Sequence, residues 1–232
     1  MERFCHEPCK TQLHNLFQRR IMSRRADFAD FEEPYAPRAE WSEAGKSEHF
    51  VQLYEDDAIL LKSLSGFVAA GLRNGETTMV TATKSHRDSL QQLLDRQGID
   101  LNGARARGFY IPLDAADTLE RLTVDGEPDE RLFSEVIGEP IARLTGSGRP
   151  LRIFGEMVAL LWEQVGSDAA IRLEELWNEL AEAHPFCLYC AYPMSAFSGE
   201  RAGAPLVHVC KAHSRVIPAE ANPAKSEKPS GS

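Results

Sequence analysis

Three carboxylates, Glu55, Asp114 and Glu156, each stand at the end of a short apolar run that reads as a β-strand. A carboxylate in that place can accept hydrogen bonds from a ligand, hold a cation or take a proton. Asp56, Asp57 and Asp114 have a plainer role available, since acids in the first turn of a helix favour its dipole. Glu156 differs, because Phe154 precedes it and Met157-Val158-Ala159-Leu160 follows it. An acid embedded among such residues needs a partner or a raised pKa, so we read Glu156 as functional. His49 and Tyr54 flank the first run, Trp162 follows Glu156 on the same helix, and Tyr192 ends the last run. The candidate ligand-binding set is therefore His49, Tyr54, Glu55, Glu156, Trp162 and Tyr192, with no catalytic residue among them.

The cysteines and remaining histidines form a second set. Cys187-Leu188-Tyr189-Cys190 has redox or zinc spacing but falls on a strand. Residues three apart on a strand point to opposite faces, so both are expected as buried core thiols. Cys5-His6-x-x-Cys9 with His14, and His208-x-Cys210-x-x-His213, carry ligand-type residues without a standard finger spacing. No metal ligand and no cofactor is assigned from these patterns.

Positioning these residues requires a sheet. Apolar runs at Phe50–Tyr54, Thr77–Thr83, Gly108–Leu113, Leu151–Phe154 and Phe186–Tyr192 alternate with helical patterns. Such alternation implies crossover connections and a mainly parallel sheet of five strands flanked by helices. Pro112 demotes the third strand towards an edge or places it at a strand terminus. Helices are expected from about Asp56 to Gly71, from Ser85 as N-cap to Gly98, over Ala115–Leu122, over Asp129–Thr145, and over Val158–His184 with a break near Gly166. The strand ends of such a sheet form its ligand crevice, expected here between strands one and four.

A nucleotide is not the expected occupant. The loop after strand one reads Tyr-Glu-Asp-Asp, with no glycine and no lysine for a phosphate. Gly45-Lys46-Ser47 ends like a P-loop, but Glu40 occupies the required earlier glycine position and the tripeptide precedes the strand.

With 232 residues, 43% apolar, the chain can bury one sizeable core. A formal charge of -9 disfavours nucleic acid and anionic membrane as direct partners. Five cysteines, an odd number, fit a reduced cytoplasmic protein better than a disulfide framework. Residues 1–46 read as an N-terminal extension and linker, 47–213 as the main domain, and 214–232 as a disordered tail.

His49-Phe-Val-Gln-Leu-Tyr-Glu-Asp-Asp, Gly71-Leu-Arg-Asn-Gly-Glu, Phe154-Gly-Glu-Met-Val-Ala-Leu-Leu-Trp, Leu176-Trp-Asn-Glu-Leu and Ala191-Tyr-Pro occur in that order. In combination they resemble the MEDS family, the methanogen/methylotroph sensory domain. The resemblance implies signal transduction or transcriptional regulation, through sensing of a small organic, hydrocarbon-like compound. It further implies a three-layer fold related to RecA/KaiC-type ATPases, here without a P-loop. No helix-turn-helix or kinase core is read in the chain, so a nearly stand-alone sensory domain is expected. Its output would pass to a regulatory protein or through a homodimer.

Two rival readings follow from the residues. One is a degenerate ATPase or hydrolase using Glu55 and Glu156, whose strand ends are taken to be adjacent. The other is a metal or redox sensor using the terminal Cys and His residues.

Overall fold

Strands made of Val, Thr, Met and Leu without alternation need cover on both faces, and the computed structural model provides it. It describes Trp41, Ala44, Gly45, residues 47–198 and residues 203–218. The chain divides into Met1–Tyr35 and Ala36–Ser232, and the described residues all belong to the second unit.

Six strands form one sheet: β1 (His49–Tyr54), β2 (Thr77–Ala82), β3 (Tyr110–Asp114), β6 (Leu151–Gly155), β7 (Cys187–Pro193) and β8 (Arg215–Ile217). Their order is β3-β2-β6-β7-β1-β8, and every pairing is parallel. The short β4 (Thr123–Val124) and β5 (Glu127–Pro128) make a separate antiparallel hairpin around Asp125-Gly126. The mainly parallel α/β sheet is thus present, with six strands rather than five. The additional strand, β8, is three residues long and lies within the stretch expected as tail. So short a strand has no periodicity to read.

Helices cover both faces. Packed on one face are α1 (Asp57–Arg73), α2 (Lys84–Arg96) and α3 (Leu101–Ala106). The other face carries α4 (Ala115–Leu122), α5 (Glu130–Phe133), α6 (Glu139–Gly146), α7 (Met157–Gln164), α8 (Ser167–Ala183) and α9 (Gly203–Ala212). Trp41, in the stretch expected as an extension, is buried on the α1 face against Phe50, Phe67 and Tyr189.

The helix ends follow local chemistry. Asp56 caps α1 by accepting from the Ala58 N–H at 2.9 Å, and Asp114 caps α4 by accepting from Ala116 and Asp117. Thr83, not Ser85, is the N-cap of α2. Gly166, at φ 141°, separates α7 from α8 in backbone territory that side chains avoid. Gly71 lets α1 close on the sheet, because a Cβ there would sit 2.8 Å from Thr78 Oγ1. The run expected as one helix over Asp129–Thr145 contains a π-helical segment, Ser134–Gly138, between α5 and α6.

Strand order decides the strand-end geography. β7 lies between β1 and β6, so strands one and four are not neighbours and β1 is second from the edge. After β2 the chain passes to α2 on one face, and after β6 it passes to α7 on the other. The topological switch point that holds Glu156 is therefore between β2 and β6.

Candidate functional site

At that switch point the β6 end is stitched to the β2 end. The Glu156 N–H donates to the Thr81 carbonyl at 3.0 Å, and the Thr83 N–H donates to Glu156 Oε2 at 2.8 Å. Glu156 Oε1 lies 2.7 Å from Nδ1 of His86 on α2, an ion-pair distance without the alignment of a straight hydrogen bond. His86 Nε2 is 3.5 Å from Asp57 Oδ2, an exposed acid in the first turn of α1. Both Glu156 and His86 are buried, at 4% and 7% exposure. The Glu156 contact, opposed by burial, pushes His86 above its ordinary value. Burial, with Glu156, Asp57 and Glu163 adding negative potential, pushes the Tyr54 phenol up.

A second polar cluster lies inside the sheet's other face. His49 (β1), Cys190 (β7), Glu174 (α8) and His213 (between α9 and β8) bring one ligand-type atom each to within 4.8 Å of one another. All four are buried, and Glu174 is 1% exposed. Glu174 Oε2 is 3.5 Å from Nε2 of both histidines and 3.7 Å from Cys190 Sγ. Its Oε1 accepts from the Tyr192 hydroxyl at 2.8 Å. Burial pushes Glu174 up to about 7, against its hydrogen bonds to Tyr192 and Cys190, and burial draws His49 down to about 4. His213 is drawn down as well, by burial and then by His49, while burial and then Glu174 push up the Cys190 thiol.

The six residues singled out in the sequence therefore divide. Glu156 belongs to the switch point, and Tyr54, at the end of β1, feels its negative potential. His49 and Tyr192 belong to the buried cluster. Trp162 is half-buried and packs edge-on against Tyr192 and Phe197. Glu55 is exposed at the end of β1, and β7 separates that strand from β6. The hydrolase reading took the strand ends of Glu55 and Glu156 to be adjacent, and they are not, because β7 lies between β1 and β6. Asp114 is structural: it caps α4 and pairs with Arg87 at 2.8 Å, which holds its carboxyl below the usual range.

Sequence reasoning missed His86, Glu174 and Asn178, and did not group Cys190 with His213. For Glu174 a signal existed. Ala170, Leu173, Glu174 and Trp177 share one helical stripe, and an acid on a buried stripe asks for partners. Cys187 and Cys190 do point to opposite faces, as the strand demands. Of the C-terminal trio, His208 is exposed and Cys210 is buried, and His213 alone of the three joins the cluster. Cys5, His6, Cys9, His14 and Lys46 lie outside the described residues.

A cavity of about 450 Å³ lies elsewhere, on the α4 face beneath β2 and β3. Met79, Ile111, Leu113, Ile137 and Leu144 make its apolar floor, and Thr118, Arg121, Glu135 and Arg143 supply polar groups.

A parallel α/β domain with acids in place of a phosphate loop, an apolar cavity and internal polar clusters has the parts of a binding module. Residues 48–214 match the MEDS family, described as the methanogen/methylotroph, DcmR sensory domain, and the chain belongs to that family. No curated protein matches the chain.

Proposed function

We propose that this sensory domain binds a small, mainly apolar organic compound in the cavity beneath β2 and β3, and has no chemistry of its own. The observation that carries the reading is the cavity: about 450 Å³, apolar at its floor, with a few polar side chains in its lining. Binding sites for small organic molecules have that size and lining. The π-helical segment Ser134–Gly138 forms part of its wall through Glu135, Val136 and Ile137. π-Segments frequently mark functional sites, and this one can respond to an occupant by shifting its register. The signal then passes to a regulatory partner protein or across a homodimer in the cytoplasm. Among the described residues no helix is long and apolar enough to cross a membrane.

The test is calorimetry of the full chain against a panel of small hydrocarbons, halocarbons and alcohols. Ile111→Trp, which fills the cavity, should abolish binding of any compound that wild type takes up, and Glu156→Gln should leave it unchanged. The opposite pattern would move the ligand to the strand ends, where the sequence first suggested it. Binding that survives both substitutions would sink the cavity assignment.

A further inference from the structure

The direction of each hydrogen bond in the buried cluster leads to a further site. The Nδ1 of His49 faces Asn178 Oδ1 at 2.9 Å, and the orientation of that amide is set because its Nδ2 donates to the Ala212 carbonyl at 3.2 Å. His213 Nδ1 lies 2.6 Å from the Val209 carbonyl. Both Nδ1 atoms face acceptors only, so each carries the ring proton. Both Nε2 atoms are then bare lone pairs turned inward. His49 Nε2 meets Glu174 Oε2 and Cys190 Sγ, and His213 Nε2 meets Glu174 Oε2, while the thiol's one proton is directed at that same carboxylate oxygen. His213 Nε2 is fully buried and has no hydrogen-bond partner. Four lone-pair donors thus converge in the middle of an apolar face, with no proton on either imidazole Nε2.

We propose that His49 Nε2, Glu174 Oε2, Cys190 Sγ and His213 Nε2 bind one divalent transition metal of the borderline class, zinc foremost. A tetrahedral zinc with bonds of about 2.0–2.3 Å has ligand-to-ligand edges of about 3.3–3.7 Å. Four of the six observed edges match: 3.4 Å (His49 to Cys190), 3.5 Å (each histidine to Glu174) and 3.7 Å (Cys190 to Glu174); the two others, His213 to His49 and to Cys190, lie within 4.8 Å, so His213 closes on the ion when it binds. The donor set of two imidazoles, a thiolate and a carboxylate suits zinc better than the hard cations that prefer oxygen alone. A second shell is in place: Asn178 and the Val209 carbonyl orient the imidazoles, and Tyr192 holds the other carboxylate oxygen. Metal binding displaces the Cys190 thiol proton to solvent.

Four protein ligands with no open position make a closed site, which holds structure or reports metal rather than activating water. The ligands come from β1, β7, α8 and the α9–β8 junction, so the ion clamps the C-terminal segment to the sheet. The proposal does not depend on the cavity reading, since the two sites share no residue.

The experiment is cobalt(II) titration of the full chain, followed optically and by elemental analysis. We expect one ion per chain, with the visible bands of tetrahedral cobalt and a thiolate-to-cobalt charge-transfer band. Zinc should displace it. Cys190→Ser and His213→Gln should abolish the charge-transfer band. It should persist in a Cys5→Ser/Cys9→Ser/Cys187→Ala triple variant and when Cys210→Ala is added to it, which leaves Cys190 as the one thiol and so gives an answer even if Cys190→Ser fails to fold. Asn178→Ala should weaken the metal by ~10–100-fold, the usual effect of removing a second-shell partner. Absence of bound cobalt in folded wild type, a charge-transfer band that survives Cys190→Ser, or its loss in the triple variant would each overturn the assignment.

Discussion

Two buried carboxylates in this domain sit in opposite situations. Glu156, at the switch point, faces donors: the Thr83 N–H and a His86 whose pKa rises in its presence. Glu174, under α8, faces one hydroxyl, one thiol and two imidazole lone pairs, and its own pKa rises to about 7. The residue types are nearly the same, carboxylate and histidine. What differs is where the second nitrogen of each ring is anchored. At His86 the outer nitrogen looks toward the exposed Asp57, which can share a proton with it. At His49 and His213 the outer nitrogens are tied to amide and backbone carbonyls, so the inner ones are left bare. A charge pair can complete itself with protons, whereas a cage of acceptors calls for a metal ion.

The sharpest way to break this contrast is to remove metal. Under a chelator the wild-type domain should lose about 4 kcal/mol of stability, relative to metal supplied at ~1,000 times its Kd. Urea denaturation with and without chelator measures the difference. Cys190→Ser should show almost none of it, and a Cys190→Ser variant that loses as much as wild type would erase the distinction between the clusters.

Next in size is the switch-point acid. Glu156→Gln should cost about 1.5–3 kcal/mol, the scale of a hydrogen bond to a charged group. It should leave cobalt binding at the other cluster untouched. A coupled loss would show that the clusters act as one unit.

The pH dependence separates them more finely. His86 binds its proton more tightly in the folded state than at its ordinary 6.5. The stability this gives is complete below 6.5 and is lost as pH rises through the folded value. Denaturation midpoints should therefore fall on the alkaline side in wild type, and less so in Glu156→Gln. An equal fall in both would remove His86 as the titrating group.

The smallest expected effect is a control on the same helix. Lys84 pairs with Asp88 at 2.6 Å, and both side chains are exposed. Lys84→Ala should change stability by no more than ~0.5 kcal/mol, because solvent screens such a pair. A larger change would mean that exposure does not set the ranking of these pairs.

Much of the fold was legible in the sequence because its signals are local. The β-branched run at Thr77–Ala82, Pro112 in what proved an edge strand, the helix at Ala115–Leu122 and the break at Gly166 all follow from backbone preference and periodicity. The burial of Glu156 was legible as well, from its apolar neighbours. Strand order was not, and it placed β7 between the two strands expected to share a crevice. Nor was the meeting of His49, Glu174, Cys190 and His213, which depends on parallel register between β1 and β7 and on where α8 and the chain after α9 come to rest. The amino-acid sequence by itself determined which of the longer segments become strands and helices, and that acids stand where a phosphate loop would need donors. The tertiary structure alone decided which acids meet histidines and which ring nitrogen each histidine turns inward. Those choices rest on contacts between residues more than a hundred positions apart in several cases, and no local pattern encodes them.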